Sequence, residues 1–596
     1  MPIVSPEVSA GQTLTCSITV NGTALEDTYP LVSIRTYYEI NRIAYAEVEL
    51  IDGAPDTGVF VLSEKKTLIP GSEISINAGY DSDNNLIFSG VIVKQAIRIS
   101  NDRTSNLLLT CKHKAVQMTY NRNDSVFLKK KDSEIISSII SNYSLTATVD
   151  STTFQYENLY QKSATDWDFI LARADFCGLV INLKEDDIFV KKPVLDSSPV
   201  LTVTYGESIY SLNAEFDGEG QVNSVEAIGW DPSKLAISAA SKAAEPSLNE
   251  HGNLEAKTLS KGFKNQDLKL YSGTPMDSAN LKLWASSKLL RIRLSALKGS
   301  VTFKGSSKVN TGDMITLAGL GDRYNGNAYV SVVEHTIEEG TWITRVDFGL
   351  ESKPISEFPQ FSYSPSTGQF PAIHGLQVGI VKQLDKDPQS EFRLSVTIPG
   401  MTGTETLWAR MASIYASNAA GFYFLPEVGD EVILGFIDDD PSHPVILGSL
   451  YSSKHAAAYA NEAKNNTKAI TTRSKMEINF DEEKKIIKIF TPGGNSIILD
   501  DEEKGITIKD QNSNTLKLNA SGIEMDSPKN IVIKATGDIT LDATGKLSLQ
   551  SKQDVTVEGL NITNTAKVGF TAKGSASAEI SASGQTIVKG AMVMIN

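Results

Sequence analysis

The 596-residue sequence has only three cysteines, Cys16, Cys111 and Cys177. They are too few and too scattered for a disulfide framework or a zinc-ligand pattern, and read as buried thiols of a chain made in a reducing compartment. The opening stretch "MPIVSPEVSAGQTLTC" lacks the basic segment and the long apolar segment of a secretory signal. No run of about 18 apolar residues could span a bilayer. Cationic excess is missing too: the formal net charge is −15. That excludes broad nucleic-acid binding, which needs a positive surface, and docking on anionic lipid. No nucleophile elbow, H-E-x-x-H pair or phosphate-binding glycine loop occurs, so no catalytic, cofactor or metal residues are nominated.

What the chain does have is strand pattern. "AYAEVELIDG" and "GSEISINAGY" alternate apolar and polar residues, as half-buried strands do. "YDSDNNLIFSGVIV" reads as a hairpin turning at Asp81–Asn85. A calcium loop there is rejected, because Leu86 and Ile92 occupy the positions that need glycine and glutamate. Three helices interrupt the strands. "DSEIISSIISNY" gathers Ile135, Ile136, Ile139 and Ile140 on one face. "TDWDFILARADFCG" has Thr165 as N-cap, Asp168 three residues on, a Trp167–Ile170–Leu171–Ala174 stripe and Gly178 as terminator. "MDSANLKLWASSKLL" turns Leu281 and Trp284 inward.

The expected fold class is mainly β and multidomain. Residues 1–355 form a barrel-containing α+β head with two barrel-like lobes, roughly 1–110 and 200–355, and a helical insert. A linker rich in proline, serine and phenylalanine covers 356–372. Residues 373–453 hold five short apolar strands, "GLQVGIVKQL", "EFRLSVTIP", "LWARMASIY", "EVILGFI" and "PVILGSL", which suit a small closed OB-type barrel. Within it, "DDDPSHP" reads as the link between two strands. Asp438 and Asp440 suit a turn, Pro441 fixes φ, and Pro444 opens the next strand. A single histidine, His443, beside loop aspartates is too little to hold a metal. Residues 454–474 read as a connector.

The final segment, 475–596, changes character. "NIVIKATG", "DITLDATG", "KLSLQSKQ" and "DVTVEGLN" run head to tail from Asn530 to Asn561. Their second and fourth positions are Ile531 and Ile533, Ile539 and Leu541, Leu547 and Leu549, Val555 and Val557. This eight-residue repeat loosens after residue 561. One unit supplies one short strand and one turn, with Gly537 and Gly545 in the turns. It covers only one side of a core. Three chains wound about one axis close it, and these eight side chains form the shared core of an intertwined trimeric β-helix. At about 4.8 Å per strand, fifteen such units would make a rod of up to ~70 Å.

The order of head, OB block and repeat resembles VgrG, the spike of type VI secretion systems, and the fused hub and spike of phage-like contractile injection systems. "NLYQKSATDWDFILARADFCGLVI" is similar to a helix motif of that family at Trp167, Phe169 and Gly178. "VEAIGWDPSK", with Gly229, Trp230, Asp231 and Pro232, and "YVSVVEH", with Tyr329 and His335, resemble two more head motifs. "LWARMASIYAS", "PEVGDEVILGFIDDDPSHPVILGSLY" and "ITTRSKMEINFDEE" resemble the OB block and the entry to the β-helix. One departure is Asp439, where the family has glycine.

The resemblance implies a homotrimeric, non-enzymatic spike. It would cap a tube of Hcp-like rings, meet baseplate proteins, carry effector cargo and transiently pierce a target membrane. It would bind no nucleic acid. It would be assembled in the cytoplasm and delivered by the contractile machine. It also implies a small PAAR-repeat protein over the tip, where "IVKGAMVMIN" places Met592, Val593, Met594 and Ile595, with no toxic domain expected after them. Two other classes stand beside this one. A β-helical carbohydrate-active enzyme needs basic and acidic side chains on a rod groove. An OB-fold glycan or nucleic-acid binder needs exposed aromatics with basic neighbours, and "LWARMASIY" offers Arg410 alone.

Overall fold

The computed structural model describes residues 12–26, 28–248, 252–262, 267–354, 371–400 and 406–595, with Pro6 and Glu357. Most of the opening stretch and nearly all of the 356–372 linker lie outside the described residues. The chain forms two compact units, one ending at Gly448 and the other beginning at Ser449.

The first unit is built on a thirteen-stranded sheet. Strands from the first 112 residues and strands from 201–348 meet where Leu31–Glu39 pairs antiparallel with Gly326–Glu338, His335 facing Thr36. Each half carries its own core. Ile34, Val48, Ile76, Phe88 and Leu109 fill one, and Val301, Phe303, Ile315, Val330 and Phe348 fill the other. The period-2 pattern of Tyr45–Ile51 and Glu73–Tyr80 drives this, since every second side chain is buried. The hairpin expected to turn at Asp81–Asn85 turns more tightly. Asp83 already pairs with Tyr80, and only Asp81 and Ser82, at φ 54° and 70°, make the bend. Two consecutive left-handed residues match the twist of the flanking strands. The Asp81 carboxylate accepts the Thr13 N–H at 3.0 Å, so its role there is to tie down the first strand.

The helices form as their sequences dictate. In Asp166–Cys177 the Thr165 hydroxyl accepts the Asp168 N–H at 3.0 Å, and Gly178 leaves the helix at φ 70°. Trp167, Ile170, Leu171 and Ala174 are buried. Asp132–Ser141 buries all four of its isoleucines. Ser278–Leu294 is capped by Asp277, buries Leu281 and leaves Trp284 half-buried. It is clamped to the 166–177 helix by an Arg291–Asp175 ion pair. His335 and Tyr329 are core residues of the sheet. His335 Nδ1 lies 2.9 Å from the Thr344 hydroxyl, and its ring packs on Trp342. Burial holds His335 and His113 at a pKa of about 4. No cysteine is in a disulfide, and burial pushes the Cys111 thiol up to about 12, which leaves it unreactive.

Five strands between Gln377 and Ser449 close into a barrel. Val381, Val396, Ala409, Val432, Leu434 and Ile446 fill it. "DDDPSHP" joins Glu431–Phe436 to Pro444–Ser449. Asp438 and Asp439 both stand at φ 55°, a region that glycine enters at no steric cost and aspartate tolerates. The backbone shape associated with a glycine at position 439 is therefore kept by an aspartate. His443 Nδ1 lies 3.1 Å from Asp440 Oδ2, a contact internal to the turn.

The second unit begins differently from the expected octads. Seven five-residue strands form an antiparallel meander: Thr467–Thr471, Glu477–Asp481, Ile486–Phe490, Ser496–Asp500, Gly505–Lys509, Thr515–Asn519 and Gly522–Asp526. The first lies inside the stretch read as a connector. Its "TKAIT" is too polar to announce a strand, yet Ile470 pairs with Ile478. The octads start only at residue 530. Turns such as "EEKK" and "DEEK" lengthen the earlier spacing and let each strand fold back on its predecessor within one chain.

Candidate trimerisation surface

Each five-residue strand of the meander puts its second and fourth side chains on one face. On six of the seven strands these are apolar: Ile478 and Phe480, Ile487 and Ile489, Ile497 and Leu499, Ile506 and Ile508, Leu516 and Leu518, Ile523 and Met525. Register stacks them without a break. Ile487 faces Leu499, Leu499 faces Ile506, Ile506 faces Leu518 and Leu518 faces Ile523. The third positions, Asn479, Lys488, Thr507, Lys517 and Glu524, lie on the other face and are polar, with Ile498 the exception.

Among the described residues the apolar face is left partly open. Leu499 is 40% exposed, Ile506 38% and Ile508 41%. Eight of the twelve side chains of this ladder are exposed, up to 73% for Ile523, and the other four are half-buried, far beyond the scattered exposed residues of a stable surface. Completing the burial of a half-exposed aliphatic side chain contributes about 1 kcal/mol, so the face offers roughly 10 kcal/mol per chain to whatever covers it.

At the start of the meander Glu477 is anchored. Its carboxylate accepts from the Tyr459 hydroxyl, from Thr471 Oγ1 at 3.0 Å and from Asn479 Nδ2 at 3.0 Å. Burial pushes its pKa up, but these donors outweigh burial and hold it below the ordinary value of 4.5. The turns along one edge, "DEEKK" at 481–485 and "DDEEK" at 500–504, are charged and linked by a 3.3 Å Lys484–Glu502 pair. They keep that edge wet.

The eight residues nominated in the repeat stand after the meander. Ile531, Ile533, Ile539, Leu541, Leu547, Leu549, Val555 and Val557 are all exposed in the single chain, from 52% for Ile531 to 72% for Leu549. Among the described residues no strand follows Asp526. A ladder needs a neighbour to bond with, and one extended arm per turn has none in its own chain. The backbone nevertheless keeps the period. It bends at 536–537, 544–545, 552–553, 560, 567–568, 575–576, 583–584 and 591–592. The bends continue past 561, where the sequence pattern loosens. One residue is missing at the 560 bend, and units of eight resume at 561, 569, 577 and 585. What fades is hydropathy: the second and fourth positions become Ile562 and Asn564, Phe570 and Ala572, Ala578 and Ile580, Thr586 and Val588. Met592, in the last bend, and Val593, Met594 and Ile595 after it are exposed.

The meander face was missed in the sequence. Its signal was there: "EINFD", "IIKIF", "SIILD", "GITIK", "TLKLN" and "GIEMD" share the same second and fourth apolar positions as the octads. Their starts lie nine or ten residues apart as far as Thr515, then seven, which hid them from a search at period eight.

Comparison with known proteins gives three family matches along the chain. The Alg8 N-terminal domain covers residues 10–339. The type VI secretion system/phage-baseplate injector OB domain covers 377–451. The phage baseplate V C-terminal trimerisation domain covers 486–543, spanning most of the meander and the first octads. Among curated proteins, the type VI secretion system spike protein VgrG1a of Pseudomonas aeruginosa is 30% identical over 162 residues, 25% of this chain and 25% of the relative. The spike protein VgrG3 of Vibrio cholerae is 40% identical over 53 residues, 9% of this chain and 5% of the relative. The chain thus spans a quarter or less of the length of these curated relatives. Among solved structures, the 43 kDa tail protein of prophage MuSo2 from Shewanella oneidensis aligns at TM-score 0.46 and 8% identity, covering 57% of this chain and 99% of that one.

Proposed function

This chain belongs to the Alg8 N-terminal domain family and, through its OB and trimerisation domains, to the VgrG-type spikes, and from that premise we propose that three copies assemble into the hub and spike of a contractile injection machine. The observation that carries the reading is the partly open apolar face of the meander, most of which lies within the matched trimerisation domain. Two further chains, each presenting the same face, enclose it about a threefold axis. The octads continue that enclosure, with Ile531, Ile533, Ile539, Leu541, Leu547, Leu549, Val555 and Val557 turned to the axis.

In this reading residues 1–355 form the hub that caps the inner tube of Hcp-like rings and nucleates the baseplate. Residues 373–453 form the OB collar, 454–474 a connector that supplies the first strand, and 475–596 the spike. The chain acts mechanically. It is assembled in the cytoplasm, carries effectors, and is driven transiently through the target membrane. Met592, Val593, Met594 and Ile595 form the seat for a PAAR-repeat tip protein, since four exposed, uncharged side chains need an apolar partner.

Mass measurement tests the core of the proposal. A trimer of three 64.5 kDa chains is expected, and a well-folded monomer at micromolar concentration would refute it. Deleting residues 591–596 should abolish PAAR-protein binding while the trimer persists. Retained binding would place the tip seat elsewhere.

A further inference from the structure

The OB barrel carries two exposed apolar features that its own chain leaves apart. The first is an arm. Between Leu407–Met411 and Glu431–Phe436 a short hairpin pairs Ala416 with Gly421 and Ser417 with Ala420. No charged residue occurs from Ala412 to Leu425. Its flanks hold Ile414, 91% exposed, Tyr423, 81% exposed, and Tyr415, Phe422 and Phe424, all exposed. The Phe422 and Phe424 rings lie 6.3 Å apart. The arm is stiffened at its base, where the Ser413 hydroxyl lies 3.1 Å from the Tyr415 carbonyl and 3.0 Å from the Phe422 carbonyl. An ordered, uncharged, aromatic arm in water is a knob without a socket.

The second feature is a socket. In Glu431–Phe436 the Val432 and Leu434 side chains fill the barrel, so Gly435 lies on the outer face, with Ile437 two residues on. Gly435 leaves a bare floor: a Cβ there would sit 3.3 Å from Leu447 Cδ1 and 3.8 Å from Leu376 Cδ2. Leu376 is 60% exposed, Leu447 50% and Ile437 54%. Val378, paired with Ile433, extends the patch. Most exterior positions of a small solvated barrel are polar, and this outer face is not.

We propose that the arm of one protomer seats its Phe422, Tyr423 and Phe424 cluster on the outer face of the next protomer's barrel, over Gly435 and between Leu376 and Leu447. This inference rests on the trimer reading above. The occupant is a second copy of this chain for two reasons on the same molecule. The matched trimerisation domain begins at residue 486, downstream of the barrel, so a trimer brings three barrels together. Knob and socket are also different surfaces of one barrel, which makes the contact head-to-tail. Under threefold symmetry such contacts close into a ring in which every arm and every socket is used. The clasp would make the collar a second interface, separate from the meander.

The test uses the full chain with Tyr423→p-benzoylphenylalanine, prepared as a mixture of isotopically light and heavy copies. After irradiation, cross-linked peptides joining position 423 to the segments containing Leu376, Gly435 or Leu447 should be mixed light–heavy pairs. Gly435→Trp, which fills the floor, and Leu447→Glu, which charges its wall, should each abolish those pairs while the mass stays trimeric. Cross-links confined to one isotope, or directed to another part of the chain, in a particle of trimeric mass overturn the clasp and leave the spike reading standing. Pairs that persist in both variants overturn the socket assignment. A monomeric mass overturns the trimer and the clasp together.

Discussion

Truncating Leu499 to alanine tests the covered face most directly. Leu499 faces Ile487 on one side and Ile506 on the other, and is 40% exposed in the single chain. A fully buried Leu→Ala change costs about 3 kcal/mol, counting both lost transfer energy and the residual cavity. In an isolated protomer, where the site is already half wet, the same change costs roughly 1 kcal/mol. The difference, about 2 kcal/mol, belongs to association, and it is counted once per chain. The trimer therefore loses about 6 kcal/mol, close to ten-thousandfold in its dissociation constant. Lys517→Ala, on the polar face of the same meander, is the control. Sedimentation or mass photometry across a guanidinium series reads the trimer-to-monomer midpoint for both variants. Leu499→Ala should lower it sharply and Lys517→Ala should leave it near wild type. Equal midpoints for the two variants would refute the assignment of the apolar face to the interface.

Ile539→Asp or Leu541→Asp would bring three carboxylates into one dry layer, at a cost of several kcal/mol for even one unpaired charge. The terminal segment should lose its resistance to heat and detergent, as read by gel mobility without boiling, while near-ultraviolet dichroism shows the head still folded. Asn564→Leu, at an inward register position, should instead raise that resistance, because three amides leave an apolar axis, each worth about 1–3 kcal/mol; a lowered melting temperature would count against the register. His113 and His335 are held at about 4 against an ordinary 6.5. Each stays neutral in the fold while the unfolded chain gains a proton, so head stability is full above pH 6.5 and falls as pH drops towards 4, by about 3 kcal/mol for each residue. Urea midpoints at pH 7.5 and 5 should differ by less in a His113→Gln/His335→Gln double variant, and an unchanged difference would remove these residues as the cause.

Much of this architecture could be read from the residues because the signals were local. Thr165 and Gly178 bracket their helix as caps do, and five apolar runs in "GLQVGIVKQL" to "PVILGSL" became the five barrel strands. The octad pattern was legible from Ile531 to Val557, where two apolar positions per unit repeat in register. The meander was not, because its turns vary in length while its strands do not. Nor was the continuation past Asn561, because Asn564, Ala572 and Thr586 carry no hydrophobic signal, although the backbone there bends at the same interval. "TKAIT" and the Asp438–Asp439 turn show the complementary case: pairing partners and backbone geometry, rather than composition, decide their form. The Ile414–Phe424 arm was equally invisible, since strand-like aromatics look alike whether they end inside a barrel or outside it.

The bend at 560 records how such a segment tolerates change. Every other bend after 536 spans two residues, and this one is a single residue, Leu560. The shortfall falls at a bend and not within an arm, so no arm on either side exchanges its two faces. Loss of one residue from within an arm would flip every side chain after it. Length is thus inherited in whole rungs. In the trimeric rod proposed above, removing residues 538–545 would shorten the segment by about 4.8 Å and leave the remaining rungs in phase. Duplicating them would lengthen it by the same step. Reach becomes a graduated quantity that can be altered rung by rung without redesigning anything else, and the bends are the places where copying errors are forgiven.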